Sequence, residues 1–536
     1  LETSQLANGG ANSGIGAANN STNNLVFYSS TLKYTGASAS TDHGAILNDA
    51  GGTINVTNSG SILTDNGTLV GTGALTKTGP GTLVLGTANT HSGGTVVANG
   101  ILQINNATSL GLGGFTNMGA TLKFGSALTA SETVDFSGNC IVDINNPSST
   151  DVALRGAWSG NGYVLLTNLN NSARTFTMGG DGDGGGSMAG FSGTIDGGNC
   201  IGFLRFNDGA NKNYGSPNAV FDLGSGGIVM LARNGAVTID LGALRGGPNT
   251  RLAGRASGSS GTVTYSIGAL GIATTFAGSI TNYNNATAIT KVGTNTLTLS
   301  GTNYHTGATT VQGGTLQVDG SILNSAVTVQ AETSLTGNGS LNSVGVQGNG
   351  TLSPGASGIG KLTINTLTLE SGSTNIIELN KSLGTNDSVV GLSSISYGGT
   401  LNVVNLGGTL AAGDSFKLYD SAGGYSGAFE ATNLPALSGS LSWDTSTLSV
   451  DGTIKVVAPT APAFTSVVID GSNLIISGSN GVPSTPFYVL TSTNLALPLA
   501  GWTTIATNTF NLDGSFSVTN AMNPSLPQDF YILQLQ

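Results

Sequence analysis

The sequence predicts an all-β fold, a right-handed parallel β-helix (β-solenoid) followed by a small C-terminal β-sandwich. Three observations lead to this prediction. Glycine is unusually frequent, at 85 of 536 residues, whereas charged residues make up only 8%. One segment recurs without gaps, and inside each copy short alternating runs of apolar and polar residues are separated by glycine. Short strands with frequent turns at a fixed period are typical of stacked, repetitive β architectures.

The composition excludes several other classes of protein. Long helices need Ala, Leu, Glu, Lys and Arg at helical spacing, and such segments are missing here. Gly and Pro together form about 18% of the chain, below the roughly 25–30% typical of low-complexity chains. The net charge is −11 and the 16 basic residues are spread along the chain, so no nucleic-acid binding is expected. No apolar run approaches the roughly 20 residues of a membrane-spanning segment.

Two segments of the chain are similar to each other. Residues 75–104 read LTKTGPGTLVLGTANTHSGGTVVANGILQI, and residues 289–318 read ITKVGTNTLTLSGTNYHTGATTVQGGTLQV. The copies are offset by 214 positions, and 14 of their 30 positions are identical. Such recurrence predicts a supersecondary unit that buries its inner face only by stacking on its neighbours.

Each copy also predicts where its strands and turns lie. Alternation in the run TLVL places Leu83 and Leu85 on one face of a strand. At about 20–25 residues a turn, the chain up to residue 457 is expected to form around twenty turns. Like charges stacked on successive turns would repel, which explains the low charge. Glycines between the runs are expected to adopt positive φ at turns: Gly79, Gly93 and Gly100.

These residues resemble the autotransporter-associated (passenger-associated transport) β-strand repeat, with its pattern LTKTGxGTLxLxGxNTYxGGTxVxxGTLQV. Further matching segments are GTLSPGASGIGKLTI, LGALRGGPNTRLAG and GGTLAAGDSFKLYD. The second copy departs from the pattern at Thr294 and Asn295. The whole order is similar to that of large secreted autotransporter-like proteins of Verrucomicrobia and Planctomycetes. The resemblance implies an extracellular β-helical passenger and supplies no catalytic residue.

The chain divides into four predicted parts. Residues 1–24 are a polar, Gly/Asn-rich cap or assembly segment, and residues 25–457 form the β-solenoid. Residues 458–463 are a short linker that contains two prolines. Residues 464–536 hold strand-like runs separated by Asp-Gly turns, which predicts the small β-sandwich. This last part resembles the tail of secreted verrucomicrobial proteins, which implies a sorting, attachment or assembly module.

Few carboxylates offer chemistry. Asp181 and Asp183, in GGDGDGGGS, are weak candidates for Ca²⁺, which prefers carboxylate and carbonyl oxygens; the alternative is an ordinary Gly-rich loop. Glu370 and Glu378 are the nearest candidates for a polysaccharide-cleaving pair. We therefore predict no catalytic residues and no cofactor.

The histidines and cysteines have structural alternatives. His91 and His305 occupy the same place in the two copies, which favours a shared turn or stacking role. Cys140 and Cys200 are candidates for a disulfide in a secreted chain. A separation of about three turns opposes the bond, because a disulfide needs Cα atoms within about 7 Å. The alternative is two buried thiols.

Single aromatic residues admit two roles. They can form a sugar-binding platform, or they can cap a turn and fill the solenoid core. The second role is the commoner one for such residues. The candidates are Tyr28, Tyr34, Trp158, Tyr163 and Trp443.

The sequence favours a non-catalytic extracellular structural protein, a surface fibre or matrix subunit that self-associates head-to-tail into filaments. The alternative is a monomeric adhesin that binds a surface glycan or a host or particle surface. A polysaccharide-degrading β-helix enzyme is the third hypothesis. Since the chain begins without Met, we expect a secreted or cell-surface protein whose signal peptide has been removed.

Overall fold

The computed structural model describes residues 1–144, 151–179, 187–206, 213–233, 236–255 and 261–535. The chain forms two compact units. Unit 1 comprises Leu1–Glu378, Asp387–Asn402 and Tyr419–Asn433. Unit 2 comprises Leu379–Asn386, Val403–Leu418 and Leu434–Gln536.

The described residues of unit 1 form an all-β parallel solenoid of about 15 turns. Strands of successive turns pair in parallel and in register, so that Leu102 lies between Leu83 and Leu122. Few residues of the chain separate Leu83 from Leu102, or Leu102 from Leu122. Val164 and Ile195 also pair on successive turns, but many more residues separate them. The expectation of around twenty turns is too high because turns in the middle of the chain are longer.

The solenoid strands of the described residues belong to sheets that we number 1 to 5. Sheet 1 contains Glu2–Thr3, Ser30–Tyr34, Gly52–Val56, Leu75–Thr78, Thr95–Val97, Phe115–Met118, Val134–Ser137, Trp158–Gly160 and Gly190–Phe191. Sheet 2 contains Ala39–Thr41, Ile62–Asp65, Thr82–Leu85, Ile101–Ile104, Thr121–Phe124, Asn139–Asp143, Tyr163–Thr167, Thr194–Asp196, Asn213–Asp222, Val237–Arg245, Val263–Ile267, Thr287–Lys291, Thr302–Asn303, Thr309–Val311, Ser321–Val329, Ser340–Val346, Lys361–Leu369, Ser388–Leu392, Ser394–Tyr397, Tyr419–Ser421 and Tyr425–Gly427. Sheet 3 contains Thr129–Ala130, Val152–Leu154, Asn170–Met178, Ile201–Phe206, Gly227–Ala232, Arg251–Arg255 and Ser279–Thr281.

The two remaining solenoid sheets are formed by an early part of the chain and by a later part. Sheet 4 contains Val26–Phe27, Ala45–Leu47 and Leu69–Gly71. Sheet 5 contains Thr274–Phe276, Thr296–Leu299, Thr315–Val318, Ser334–Gly337, Thr351–Pro354, Thr374–Asn380, Thr400–Asn405 and Ala431–Asn433, with Thr385–Asn386 as an antiparallel addition.

Unit 2 also contains antiparallel sheets. Sheet 6 contains Ser415–Lys417, Ser442–Asp444 and Thr453–Val457; sheet 7 contains Ala463–Asp470, Asn473–Ser479 and Phe516–Ala521; sheet 8 contains Pro486–Ser492, Thr503–Thr509 and Phe530–Leu535. The helices of the described residues are the 3-10 turns Thr22–Asn24 and Leu499–Gly501 and the α-helix Leu448–Asp451. None of these helices has the length and apolar character needed to cross a membrane.

The strand Ile101–Ile104 shows how the sequence builds the solenoid core. Leu102 and Ile104 are fully buried, and Gln103 between them is half-buried on the outer side. This alternation follows from the two-residue period of a strand. In the preceding strand, Thr82–Leu85, both faces are buried. Alternation therefore predicts the direction of a side chain but not its exposure.

Glycines mark the corners of the turns for two different reasons. Gly79 and Gly100 have φ values of 76° and 71°, in the left-handed region that favours glycine, as predicted. Gly93 does not adopt positive φ, so that prediction is wrong. A Cβ on Gly93 would instead lie 2.4 Å from the backbone nitrogen of Ala74. Close approach of two neighbouring turns requires glycine there.

A buried lysine holds one corner of each repeat copy. Lys77 and Lys291 occupy the same repeat position and are 0% and 1% exposed. Burial lowers the pKa of both to about 8, so both ammonium groups remain mostly charged at neutral pH. Each Nζ donates three hydrogen bonds of 2.7 to 3.1 Å to backbone carbonyls, two at its own corner and one on the next turn. The acceptors are Thr78, Gly79 and Asn99 for the first copy, and Val292, Gly293 and Gly313 for the second.

A buried asparagine in each copy joins three successive turns. Asn89 accepts a hydrogen bond of 2.8 Å from the N–H of Leu69 and donates one of 2.7 Å to the carbonyl of Ser109. The two partners lie on opposite sides of Asn89 along the chain, at equal intervals. Asn303 makes the corresponding bonds in the second copy. An amide suits this place because it is a donor and an acceptor at once.

The repeat histidines lie in the core beside a threonine. His91 and His305 are both 0% exposed, and their Nε2 atoms lie 3.0 and 2.8 Å from Oγ1 of Thr95 and Thr309. Burial lowers the pKa of both imidazoles, that of His305 to about 4. The two side chains therefore play the shared structural part that their common repeat position predicts.

In unit 2, sheets 7 and 8 share one apolar core. Phe487 of sheet 8 packs against Phe516 of sheet 7, with ring centroids 5.0 Å apart. Phe510, in the connection between sheets, lies 4.5 Å from the first ring and 5.5 Å from the second. This cluster supplies residues from 463 onwards with a hydrophobic core of their own.

We expect Lys291→Met to lower the stability of the solenoid. Met fills the space of the lysine stem but removes the donor for three backbone carbonyls. Leaving one buried polar group without its partner costs about 1–3 kcal/mol. Guanidinium-induced unfolding, followed by circular dichroism, measures the change. Lys361→Met, at an exposed lysine, is the control, and equal midpoints for the two variants would contradict the role of Lys291.

We also expect acid to destabilise the parent more than the variant His305→Gln. The pKa of His305 is about 4 in the folded protein, whereas an unfolded histidine titrates near about 6.5. As the pH falls between these values, the unfolded chain binds a proton that the folded chain does not. The folded state therefore loses up to about 3 kcal/mol by pH 4.

The comparison with a variant is needed because buried carboxyls act with the opposite sign. Burial raises the pKa of Asp65 to about 7 and that of Asp387 to about 6, so acid stabilises the folded state through these groups. Parent and His305→Gln share both carboxyls. The difference between their unfolding free energies, measured at pH 7 and pH 4, should change by about 3 kcal/mol in favour of the variant. A constant difference would show that His305 does not titrate as described.

Candidate functional site

The candidate carboxylates are not assembled into a site within the described residues. Asp181 and Asp183 lie outside those residues. Glu370 follows a strand of sheet 2, whereas Glu378 belongs to a strand of sheet 5. In the part of the chain that the structure describes, no group of three or more His, Cys, Asp and Glu side chains is placed to hold a metal ion.

Both cysteines are free, buried thiols. The sulfur of Cys140 lies 3.3 Å from the carbonyl oxygen of Asn117, and that of Cys200 lies 3.3 Å from the carbonyl oxygen of Leu166. Cys140 belongs to a strand of sheet 2, and Cys200 immediately precedes a strand of sheet 3. The structure thus contains the buried-thiol alternative, since the two residues lie in different sheets. Burial raises the pKa of both thiols, which lowers their reactivity.

The five aromatic candidates differ in burial and in the elements that carry them. Tyr34 and Trp158 are 2% and 1% exposed and fill the solenoid core. Tyr28 follows a strand of sheet 4, and Tyr163 begins a strand of sheet 2. Trp443 is half-buried in unit 2. Burial withholds Tyr34 and Trp158 from a sugar in solution, whereas Tyr28 and Tyr163 are exposed, so the sugar-binding role stays a prediction for the exposed residues.

Sheet 3 carries a cationic surface that the sequence analysis missed. All seven arginines of the chain lie between residues 155 and 255. The clustering of all arginines in one part of the sequence, rather than the total number of basic residues, was the feature that could have revealed this surface. Six of the seven belong to strands of sheet 3 or directly follow one: Arg155, Arg174, Arg205, Arg233, Arg251 and Arg255.

The outward side chains of sheet 3 form an aromatic and cationic surface. In the strand Ile201–Phe206, alternate residues are buried, which leaves the others on the outer side. The register places Phe203, Val229 and Arg251 side by side on successive strands. We call the following set the sheet 3 face: Ile201, Phe203, Arg205, Val229, Arg251 and Tyr283.

The aromatic part of the sheet 3 face is a pair of rings. Tyr283, from the loop after the last strand of sheet 3, packs edge-to-face on Phe203, with ring centroids 6.3 Å apart and planes at 81°. Tyr283 remains 48% exposed, and Ile201 nearby on the same strand as Phe203 is 38% exposed. The pair therefore offers an apolar surface to solvent.

The guanidinium groups of this sheet differ in their surroundings. Arg205 donates a hydrogen bond of 2.9 Å to Oγ1 of Thr177 and lies 3.5 Å from the carboxylate of Asp151, so its direction is set by the protein. Arg251 is exposed. Arg255 has two buried guanidinium nitrogens, Nε and Nη1, with no acceptor in the described part of the chain. Guanidinium groups can bind anionic groups through charge-assisted hydrogen bonds.

Comparison with known proteins agrees with the repeat found in the sequence. The family model for the passenger-associated-transport-repeat matches residues 75–104 and 289–318. Over 180 residues, the chain is 35% identical to the adhesin BmaC autotransporter of Brucella suis biovar 1 (strain 1330). The match covers 31% of this chain and 5% of that adhesin.

The two matched segments are those that contain the buried lysine, asparagine and histidine described above. The similarity to secreted proteins of Verrucomicrobia and Planctomycetes stays a prediction. The chain thus contains two segments that match the passenger-associated-transport-repeat, within a parallel solenoid, and over 180 residues it is similar to an autotransporter adhesin.

Proposed function

We propose that this chain is an adhesive part of a passenger that acts at the cell surface or after secretion. The observation that carries the proposal is its 35% identity over 180 residues to a protein named as an autotransporter adhesin. The sheet 3 face supports it, since exposed aromatic and guanidinium groups are the side chains that contribute most to binding. The adhesin alternative thus replaces the structural fibre or matrix subunit as the main hypothesis.

We propose that residues 1–24 cover the apolar interior of the turns that follow them, as a cap. Leu6 is only 5% exposed, and together with Leu32 and Leu63 it lines an apolar cavity. The N–H of Gly9 donates a hydrogen bond of 2.6 Å to Asp42, and the hydroxyl of Thr41 donates one of 3.0 Å to the carbonyl of Ala7. Caps of this kind cover the apolar interior of solenoids. These contacts support the cap rather than the assembly segment.

The proposal assigns no catalytic activity to the chain. Residues that the two repeat copies share, such as Lys77 and His91, are buried and bind backbone or core groups. They are therefore withheld from any substrate in solution. Degradation of polysaccharides, the third hypothesis, receives no support from Glu370, which follows a strand of sheet 2, or from Glu378, which belongs to a strand of sheet 5.

Several finer structural statements belong to the same proposal. We propose a right-handed solenoid, because connections between parallel strands are almost always right-handed. We propose that sheets 7 and 8 form a small β-sandwich, which their shared core supports. Residues 458–463 would then be the linker, and residues 464–536 would serve in sorting, attachment or assembly. Removal of a signal peptide is the expected route to the surface.

Adhesion can be tested with beads coated with the purified chain. They should bind saturably to epithelial-cell monolayers or mucin-coated plastic, and not to plastic coated with albumin. Tyr283→Ala should lower binding about ten-fold, because an aromatic anchor is removed. Tyr28→Ala, at a tyrosine that is 74% exposed elsewhere, is the control. Binding no stronger than that of albumin-coated beads on every surface would contradict the proposal.

Self-association is a second proposal, and one strand of unit 2 favours it. Ala463–Asp470 lies at the edge of sheet 7, and within the described residues it pairs with Asn473–Ser479 alone. Val467, Val468 and Ile469 on this strand are 58%, 51% and 65% exposed. An apolar edge strand with unpaired backbone groups recruits a strand from another chain.

Sedimentation velocity over a range of concentrations measures this association. We expect oligomers at high concentration that Val468→Lys removes, because a charge blocks pairing at an edge. Val450→Lys, at a valine that is 72% exposed outside the strand, should leave the oligomers intact. A monomer at every concentration would refute self-association.

A further inference from the structure

The charge of the chain is divided unevenly along the sequence. Residues 151–255 carry eight basic and seven acidic residues, whereas the rest of the chain carries eight basic and twenty acidic residues. The segment around sheet 3 is therefore close to neutral within a protein of net charge −11. An anion that is repelled by most of the chain can approach this segment.

Within the segment, most described carboxylates lie on sheet 2, which also carries Arg245, and the other arginines lie on or next to strands of sheet 3. Asp196, Asp222 and Asp240 lie on strands of sheet 2. On the sheet 3 side, the described carboxylate is that of Asp151, which lies 3.5 Å from Arg205. The described arginines of sheet 3 thus outnumber the described carboxylates there. Arg205 and Arg251 thus give the sheet 3 face two guanidinium groups in a protein of net charge −11.

We propose that the sheet 3 face binds an anionic polysaccharide, one that carries carboxylate or sulfate groups. This inference rests on the proposed adhesive function and names its ligand class. Arg251 and Arg205 pair with the charged groups of the polymer, and Tyr283 packs against a sugar ring between them. The face is built from parallel strands about 4.8 Å apart, so its side chains form a regular, extended surface that suits an extended polymer.

The spacing of the two arginines fits successive charges on one polymer chain. Arg251 is aligned with Phe203, two strands away, and Arg205 lies two residues further along the strand of Phe203. Strand spacing and rise therefore place their Cα atoms about 12 Å apart. The planar guanidinium fork can bind a carboxylate or a similar oxyanion through two parallel hydrogen bonds.

The position of Arg255 provides an independent observation. Its Nε and Nη1 are buried and have no acceptor within the described residues. Buried donors are almost always paired in folded proteins. Arg255 ends the strand that Arg251 begins. Because neither nitrogen is accessible as the side chain lies, an oxyanion would supply their acceptors only after the Arg255 side chain had turned outward.

A polysaccharide fits this face better than a nucleic acid. A duplex carries a phosphate charge about every 1.7 Å of its length and requires many clustered cations. The face offers a few arginines separated by neutral residues, on a chain whose net charge is −11. Sparse cations interleaved with apolar and aromatic side chains match a polymer of sugars with widely spaced charges.

The experiment measures binding of the full chain to immobilised polymers by surface plasmon resonance. Heparin supplies sulfate groups, polygalacturonate supplies carboxylates, and dextran is the neutral reference. We expect binding to heparin or polygalacturonate that weakens as sodium chloride is raised. Arg251→Ala should lower the affinity about five-fold, and Arg251→Lys should recover part of it. Lys361→Ala, at an exposed lysine outside sheet 3, should bind like the parent.

Three results would overturn the inference: equal binding to dextran, equal affinities of Arg251→Ala and Lys361→Ala, or tighter binding to a short DNA duplex than to both acidic polymers. Circular dichroism verifies that each variant is folded. The bead assay separates this inference from the adhesive function. Beads that adhere without any binding to acidic polymers would refute the ligand class alone, and polymer binding without adhesion would refute the adhesive function alone.

Discussion

Parallel, in-register stacking of one turn on the next is the interaction on which unit 1 depends. A short strand such as Ile101–Ile104 is not stable alone, and its backbone groups are satisfied by the strands before and after it. The same register places Leu102 between two other leucines. Stacking thereby makes a short, weak strand part of a continuous core. Each side chain contributes to stability according to how well it packs on the equivalent side chain of the next turn.

The corners are where stacking leaves backbone carbonyls that no strand can satisfy. Lysine suits such a corner because its ammonium group carries three donors at the end of a flexible apolar stem. Lys77 and Lys291 use all three on carbonyls of two turns. Burial still lowers the pKa of each to about 8, so the site favours the neutral amine more than water does. The shared repeat position thus marks a structural requirement of the corner.

The sequence predicts much of the fold and little of the candidate site, for a physical reason. Internal similarity, alternation and glycine spacing are local, and they correctly predict a solenoid and the positive φ of Gly79 and Gly100. The prediction for Gly93 is wrong because glycine is required there by close approach to another turn. The long turn between Val164 and Ile195 could not be found by spacing either. The sheet 3 face depends on which residues of distant turns share a side, and that is decided by register.

Stacking also determines how charge can be placed on such a surface. Like charges on adjacent turns repel at a strand spacing of about 4.8 Å. On sheet 2, Asp196 lies beside Asp222, and Arg245 follows Asp222 on the next turn, so a cation adjoins the pair. On sheet 3, Val229 separates Arg251 from the strand of Phe203. The neutral strand Gly227–Ala232 keeps the guanidinium groups of Arg205 and Arg251 on non-adjacent strands, which reduces the repulsion between these two groups.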